Sequence, residues 1–346
     1  MLHKGWTAQA DDYAIVCGWT KQGETLLVGD AAGGLYAFDG KSGKTRWQRK
    51  QVHDGGLLAM SIHPEGSTFA TAGQDGRVLI WTSNEGEISK AIELGQGWAE
   101  HLKWSPDGCL LAVALSRYVY VFNLDGEEQW RSAAHPSTVS AIDWSTSNEL
   151  ATACYGQVSF FDIALNLVNQ KLQWKGSLVS MILSPDGNIV ACGSQDNSVH
   201  FWDRSTEQDA EMTGYPGKPN HLAFDATGTL LATGGSERVT VWSFKGNGPQ
   251  GTLPGDLALH AEPISCLAFS HREKLLASGS KDGSVLVWFL DDHGDGDPVG
   301  GVFVGDRIGT IAWRPDDCAL AAIDANGGIN VWDFKFRTKR TAKGFS

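Results

Sequence analysis

The chain has 346 residues, 42% of them hydrophobic, enough for a substantial core in two or three ordinary domains or one large all-β domain. A formal net charge of −12 argues against nucleic acid as the default partner, because backbone binding needs clustered positive charge. No apolar run of about 18 residues occurs, so no helical membrane span is expected, and MLHKGWTAQADD lacks the apolar segment of a secretory leader.

In chain order, residues 2–9 (LHKGWTAQ) read as a polar strand carrying Trp6. A first unit over 13–39 follows, with AAGG in its turn, ending at Phe38-Asp39, and then KTRWQRK (44–50). The next unit sharpens the pattern. AMSIHPEG (59–66) alternates, FATAG is a small-residue strand, and RVLIW ends at Trp81-Thr82. The same grammar returns as LKWSPDG (102–108), LLAVA and YVYVF, with EEQWRS (127–132) behind it. It continues through QVSFF, MILSPDG (181–187), SVHFW, RVTVW, CLAFSHRE (266–273), SVLVW and GINVW.

Each unit closes on an aromatic residue: Phe38, Trp81, Phe122, Phe161, Trp202, Trp242, Trp288 and Trp332. The steps between them are 43, 41, 39, 41, 40, 46 and 44 residues. Eight copies at this period make an internal repeat of four short strands each. Period-2 alternation bounded by Pro-Asp-Gly turns marks hairpins. The 42 glycines show no G-x-y period and fall in those turns. The middle strands are apolar on both faces, so each sheet needs a cover on both sides, which radial stacking around an axis supplies.

The repeat resembles the WD-repeat β-propeller family, over residues 1–334. The resemblance implies an all-β fold: a single eight-bladed propeller of four-stranded antiparallel blades, closed by residues 2–9 pairing with 329–334. Seven blades plus an irregular segment is the alternative. Trp6 is then the counterpart of Trp47, Trp130 and Trp174, and Trp104, Trp144 and Trp313 recur as packing residues in first strands. Residues 335–346 form a basic tail, with Lys335, Arg337, Lys339, Arg340 and Lys343 and no acid, expected to be disordered.

The family pattern implies buried tetrads of His, Ser/Thr, Asp and Trp. Two copies carry all four: His53, Thr71, Asp75 and Trp81, and His260, Ser278, Asp282 and Trp288. The recurrence argues against reading His260, Asp282 and Ser278 as a catalytic triad, because a buried polar network specifies packing. Copy 4 keeps His135 and Thr152 without the Asp, and copy 5 keeps Asp196 and Trp202 with Cys192 in the Ser/Thr place.

No phosphate-binding glycine loop and no H-E-x-x-H occurs, so no cofactor is implied. Asp291, His293, Asp295 and Gly296 fit the first positions of a calcium loop, but Val302 stands where a bidentate carboxylate is required. The stretch therefore reads as a solvated acidic loop joining the third and fourth strands of copy 7, with no metal. The extension 246–256 in copy 6 falls on the same face.

The resemblance implies a non-catalytic scaffold or adaptor that recruits a protein partner or multiprotein complex. Its binding face is built from the loops before first strands and between second and third strands. Candidates there are Trp98 and Glu100, Arg117 and Tyr118, Tyr155, Tyr215, Lys218 and Asn220, and Asp306 and Arg307. The alternatives are an enzyme or small-molecule binder using the axial channel, or nucleic-acid binding through the basic tail. Six single cysteines with no CxxC fit a reduced, cytoplasmic setting.

Overall fold

A computed structural model describes residues 1–246 and 248–335. The basic tail lies outside the described residues from position 336 onward. Among the described residues every regular element is a β-strand, and every pairing between strands is antiparallel. The inner strands Ala14–Trp19, Leu57–Ile62, Ala99–Trp104, Ala141–Trp144, His221–Phe224, Ile264–Phe269 and Ile308–Trp313, with the end of Leu167–Leu183, touch their neighbours in a closed circle.

Hydrogen bonding gathers the strands into seven sheets, six of four strands and one of six. The expectation of eight separate four-stranded blades is thereby corrected. Copies 4 and 5 share one sheet, in the order 141–144, 150–162, 167–183, 189–194, 199–203, 208–212. The cause is local. Copy 4 has CYGQ where other copies place an Asp-Gly loop, so Leu150–Asp162 runs on through the reversal at Gly156 (φ +85°). Likewise QWKGSL contains no connecting loop, and Leu167–Leu183 passes directly from the outer edge of copy 4 to the inner strand of copy 5. Copy 1, whose pattern is weakest, forms a regular four-stranded sheet.

The ring closes where Leu2–Gln9 pairs with Gly328–Phe334, from Leu2 opposite Phe334 to Gln9 opposite Gly328. Closure leaves that sheet no open outer partner position for the third strand.

The core lies between sheets. One buried cluster joins Trp19, Leu26, Tyr36 and Phe38 of copy 1 to Ala319, Ala321, Ile323 and Val331 of copy 8. Across the next joint Trp47, Phe69 and Trp81 stack at 6.0 Å spacings. Small residues in the second strands, such as Ala70, Ala72, Ala112 and Ala277, are fully buried because neighbouring sheets converge toward the axis. Glycine stands last or next to last in five of these strands, for a steric reason. A Cβ at Gly73 would lie 2.5 Å from the His53 ring, and one at Gly193 would lie 1.9 Å from the Pro219 carbonyl oxygen.

Indole N–H groups tie the sheets together. Trp19, Trp144 and Trp313 donate to the carbonyls of Ala312, Lys103 and Ala268 in the preceding inner strands, at 3.0–3.1 Å. Deleting residues 1–9 should remove the closing strand and expose the edge of 328–334. We expect a thermal midpoint lowered by several degrees and concentration-dependent self-association in sedimentation. An unchanged midpoint and a monodisperse monomer would show that closure does not depend on this strand.

Candidate functional site

The polar networks hold loops that carry the surface. In copy 2, Trp81 Nε1–H donates to Thr71 Oγ1 at 2.9 Å. Thr71 lies 2.9 Å from His53 Nε2, and His53 Nδ1 lies 3.0 Å from Asp75 Oδ1. One assignment satisfies every link: the hydroxyl donates to Nε2 and Nδ1–H donates to the carboxylate, with the imidazole neutral. Asp75 also accepts the N–H groups of Asp54 and Arg77.

Copy 7 departs from the expected tetrad. His260 Nε2 meets Ser278 Oγ at 2.7 Å, and Trp288 donates to the same oxygen. His260 Nδ1, however, meets Ser284 Oγ at 2.6 Å and stands 4.0 Å from Asp282. Ser284 relays the proton chain to Asp282, which also accepts the N–H groups of Ala261 and Ser284. In copy 4 the Arg117 carbonyl takes the carboxylate's place, 3.1 Å from His135 Nδ1, while Thr152 binds Nε2. In copy 6, Tyr215 replaces the histidine. Its hydroxyl lies 2.8 Å from Thr233 Oγ1 and accepts Trp242 Nε1–H at 2.7 Å. Tyr215, expected on the binding face, is thus turned inward as a packing residue.

A second regularity shapes the channel mouth. Six inner strands carry a register shift at the same place, leaving Ile15, Leu58, Glu100, Val179, Ser265 and Gly309 without a direct partner. All six are at least partly solvent-accessible. A bulge re-aims its side chain and bends the strand. Glu100 is the one acidic residue among them.

The face is not uniform. Where copy 4 passes into copy 5 without a loop, the rim drops and a cavity of about 530 Å³ opens. Glu100, His101, Ser137, Ser140, Tyr155 and Val179 are among the residues that line it. Tyr155 is 55% exposed at its edge, and its N–H is fixed by Ser137 Oγ at 2.8 Å. Trp98, also 55% exposed, stands two residues before Glu100. Burial holds the His101 imidazole below its ordinary value, so it is neutral at pH 7. The notch therefore offers an aromatic ring, a carboxylate, a neutral imidazole and several hydroxyls.

The other expected residues are placed differently. Arg117 donates from Nε to the His135 carbonyl at 2.6 Å, bracing the turn beside exposed Tyr118. Lys218 and Asn220 are exposed in the loop before copy 6. Asp306 accepts Asn326 Nδ2–H within copy 8, and the Arg307 guanidinium lies 4.9 Å above the Tyr13 ring, bracing the joint with copy 1. Sequence reasoning missed His101, Ser137, Ser140 and Val179. The missing loop in QWKGSL was their signal.

The acidic stretch of copy 7 is a tight turn in which Asp291 Oδ1 accepts the N–H groups of His293 and Asp295. Asp292 pairs with both Lys245 and Lys274, linking the long loops of copies 6 and 7. Among the described residues no group of three His, Cys, Asp or Glu stands ready to hold a metal ion, and no helix is long and apolar enough to cross a membrane.

A family profile described as "WD domain, G-beta repeat" matches residues 47–82, 170–203 and 250–288. The chain is 24% identical over 328 residues to Actin-interacting protein 1 of Caenorhabditis elegans, covering 92% of this chain and 52% of that protein. It is 24% identical over 294 residues to Autophagy-related protein 16 of Arabidopsis thaliana, covering 82% and 57%. It is 23% identical over 312 residues to Guanine nucleotide-binding protein subunit beta-1 of Nicotiana tabacum, covering 70% and 83%. The chain spans about half the length of the first two. The crystal structure of the computationally designed Ika8 protein superimposes with a TM-score of 0.80 at 20% identity, covering 94% of this chain and 98% of that one.

Two predictions test the networks. Asp282→Ala strips acceptors from Ser284 and from two main-chain N–H groups, and should cost about 1–3 kcal/mol in urea unfolding. A loss near zero would mean that water replaces the carboxylate fully. Burial, opposed in part by Asp282, lowers the His260 pKa to about 4. The unfolded chain then binds more protons between about pH 6.5 and 4, so this contribution to stability is complete above pH 6.5 and fades as pH falls toward 4. His260→Gln should show a shallower fall in unfolding free energy over that window, and an identical slope would contradict the neutral buried imidazole.

Proposed function

We infer that this chain, three segments of which match the WD domain, G-beta repeat pattern, acts as a non-catalytic protein-interaction scaffold, recruiting or stabilising a protein partner on the loop face. The observation that carries the reading is the contrast between the two classes of polar residue. Every histidine, hydroxyl and carboxylate of the tetrads is used up in packing. The exposed aromatics Trp98, Tyr118 and Tyr155 stand at the turns and strand ends of the loop face, outside those networks. Rigid loops bearing large amphipathic rings are the chemistry of protein recognition. The relatives' names point the same way, one being an actin-interacting protein and another a subunit of an assembly.

We place the partner's anchor in the notch between copies 4 and 5, where Tyr155 and Glu100 converge. Glu100 favours a basic or hydrogen-bond-donating group there, flanked by Trp98. The setting we propose is the cytoplasm, supported by six free cysteines, three of them buried.

The test is affinity purification of the tagged chain from its own cells, followed by binding measurements on whatever partner is recovered in stoichiometric amount. Tyr155→Ala and Glu100→Ala should each weaken that partner by about tenfold or more without lowering thermal stability. Arg307→Ala, in the joint with copy 1, should leave binding intact. A partner indifferent to both notch variants would move the site elsewhere. Recovery of no partner from native extract would remove the scaffold reading.

A further inference from the structure

The outer strands carry a plug. In copies 8, 1 and 3 a tryptophan stands opposite the residue just before the closing aromatic: Trp6 opposite Val331, Trp47 opposite Ala37 and Trp130 opposite Val121. Each indole is buried in the joint with the following sheet and donates its N–H to that sheet's turn. The acceptors are the Gly40 carbonyl at 3.1 Å, the Ser83 carbonyl at 2.9 Å and Asn166 Oδ1 at 2.7 Å. Copy 4 fills the same place with Gln170, which exchanges two hydrogen bonds with Arg204. Copy 6 needs no side chain there, because a Cβ on Gly255 would lie 2.0 Å from the Gly294 carbonyl oxygen.

Copies 2, 7 and 5 have neither device; Lys90 and Gly300 stand at the position in copies 2 and 7. In copy 5, Ala210 occupies the plug position, opposite Phe201. Phe244 of copy 6 packs into this joint against Phe201 and Phe224, and beside it a cavity of about 760 Å³ remains between copies 5 and 6. Phe201 and Phe244 form its aromatic wall, with ring centroids 5.1 Å apart in an edge-to-face arrangement. Asp209, 3.1 Å from His200, also lines it, and Asp186 and Asp203 stand on its rim. Neither forms an ion pair among the described residues, and they repel each other. Both remain below the ordinary carboxylate range. For Asp203 the Ser205 hydroxyl is the main cause. For Asp186 partial burial pushes up, but hydrogen bonds from Ser184 and Asn188 outweigh it. Two unneutralised carboxylates beside an aromatic wall call for a cation next to an aromatic ring.

We propose that this cavity is a second docking site, independent of the loop face, for a partner segment that inserts a tryptophan with a lysine or arginine beside it. The inserted indole takes the place that Trp6, Trp47 and Trp130 take in their own joints. The adjacent cation meets Asp186 and Asp203.

The test uses the full chain and three probes, acetyl-Trp-Lys-amide, acetyl-Trp-Glu-amide and acetyl-Ala-Lys-amide, with binding read by ligand-observed NMR. The Trp-Lys probe should bind about fivefold or more tightly than either of the others. Ala210→Trp supplies the missing plug, so it should abolish binding and raise the thermal midpoint. Ala210→Leu serves the same purpose if the larger residue prevents folding. Asp186→Asn with Asp203→Asn should erase the preference for Lys over Glu while indole binding persists. Binding that survives in a folded Ala210→Trp or Ala210→Leu variant would overturn the proposal. So would equal affinity for the Lys and Glu probes in the native chain, or no detectable binding of the Trp-Lys probe.

Discussion

The structure depends on one constraint: its sheets are apolar on both faces and none can stand alone. Leu26, Phe69, Leu111, Leu150 and Leu230 are fully buried, and the clusters they join lie between neighbouring sheets. Each sheet therefore has to be covered twice, and a closed ring is the arrangement in which every sheet is. The pairing of 2–9 with 328–334 and the indole hydrogen bonds across the joints both serve that end. A stiff scaffold follows, and its variable parts are the loops.

The tetrads show how strongly the scaffold constrains function and how loosely it constrains residue identity. What is conserved within the chain is hydrogen-bond satisfaction, because an unmatched buried polar group is costly. A carboxylate supplies it at Asp75, a serine relay at Ser284, a main-chain carbonyl at Arg117 and a phenol at Tyr215. The same chemistry that suggests a catalytic triad in one copy is structural in all of them.

Both candidate sites arise where the repeat is broken. Copies 4 and 5 run on where others turn, which lowers the rim and opens the notch around Tyr155 and Glu100. Copy 5 replaces the outer plug by Ala210, which opens the joint with copy 6. Regular copies fill their own joints and leave a partner little to enter. Irregular ones leave space lined by groups the fold itself does not use.

Legible in the sequence alone were the repeat, the strand order, the closing strand and the buried network of copy 2, because alternation and turn chemistry act within a dozen residues. Three-dimensional packing made copies 4 and 5 share one sheet, so that seven sheets form in place of eight. It alone turned Tyr215 inward, put Ser284 between His260 and Asp282, and engaged Arg307 over Tyr13. The physical reason is that a joint is filled by side chains from two sheets about forty residues apart in the chain. Whether indole, glutamine or empty space results depends on what the neighbouring sheet presents, and the local pattern of either strand does not contain that information.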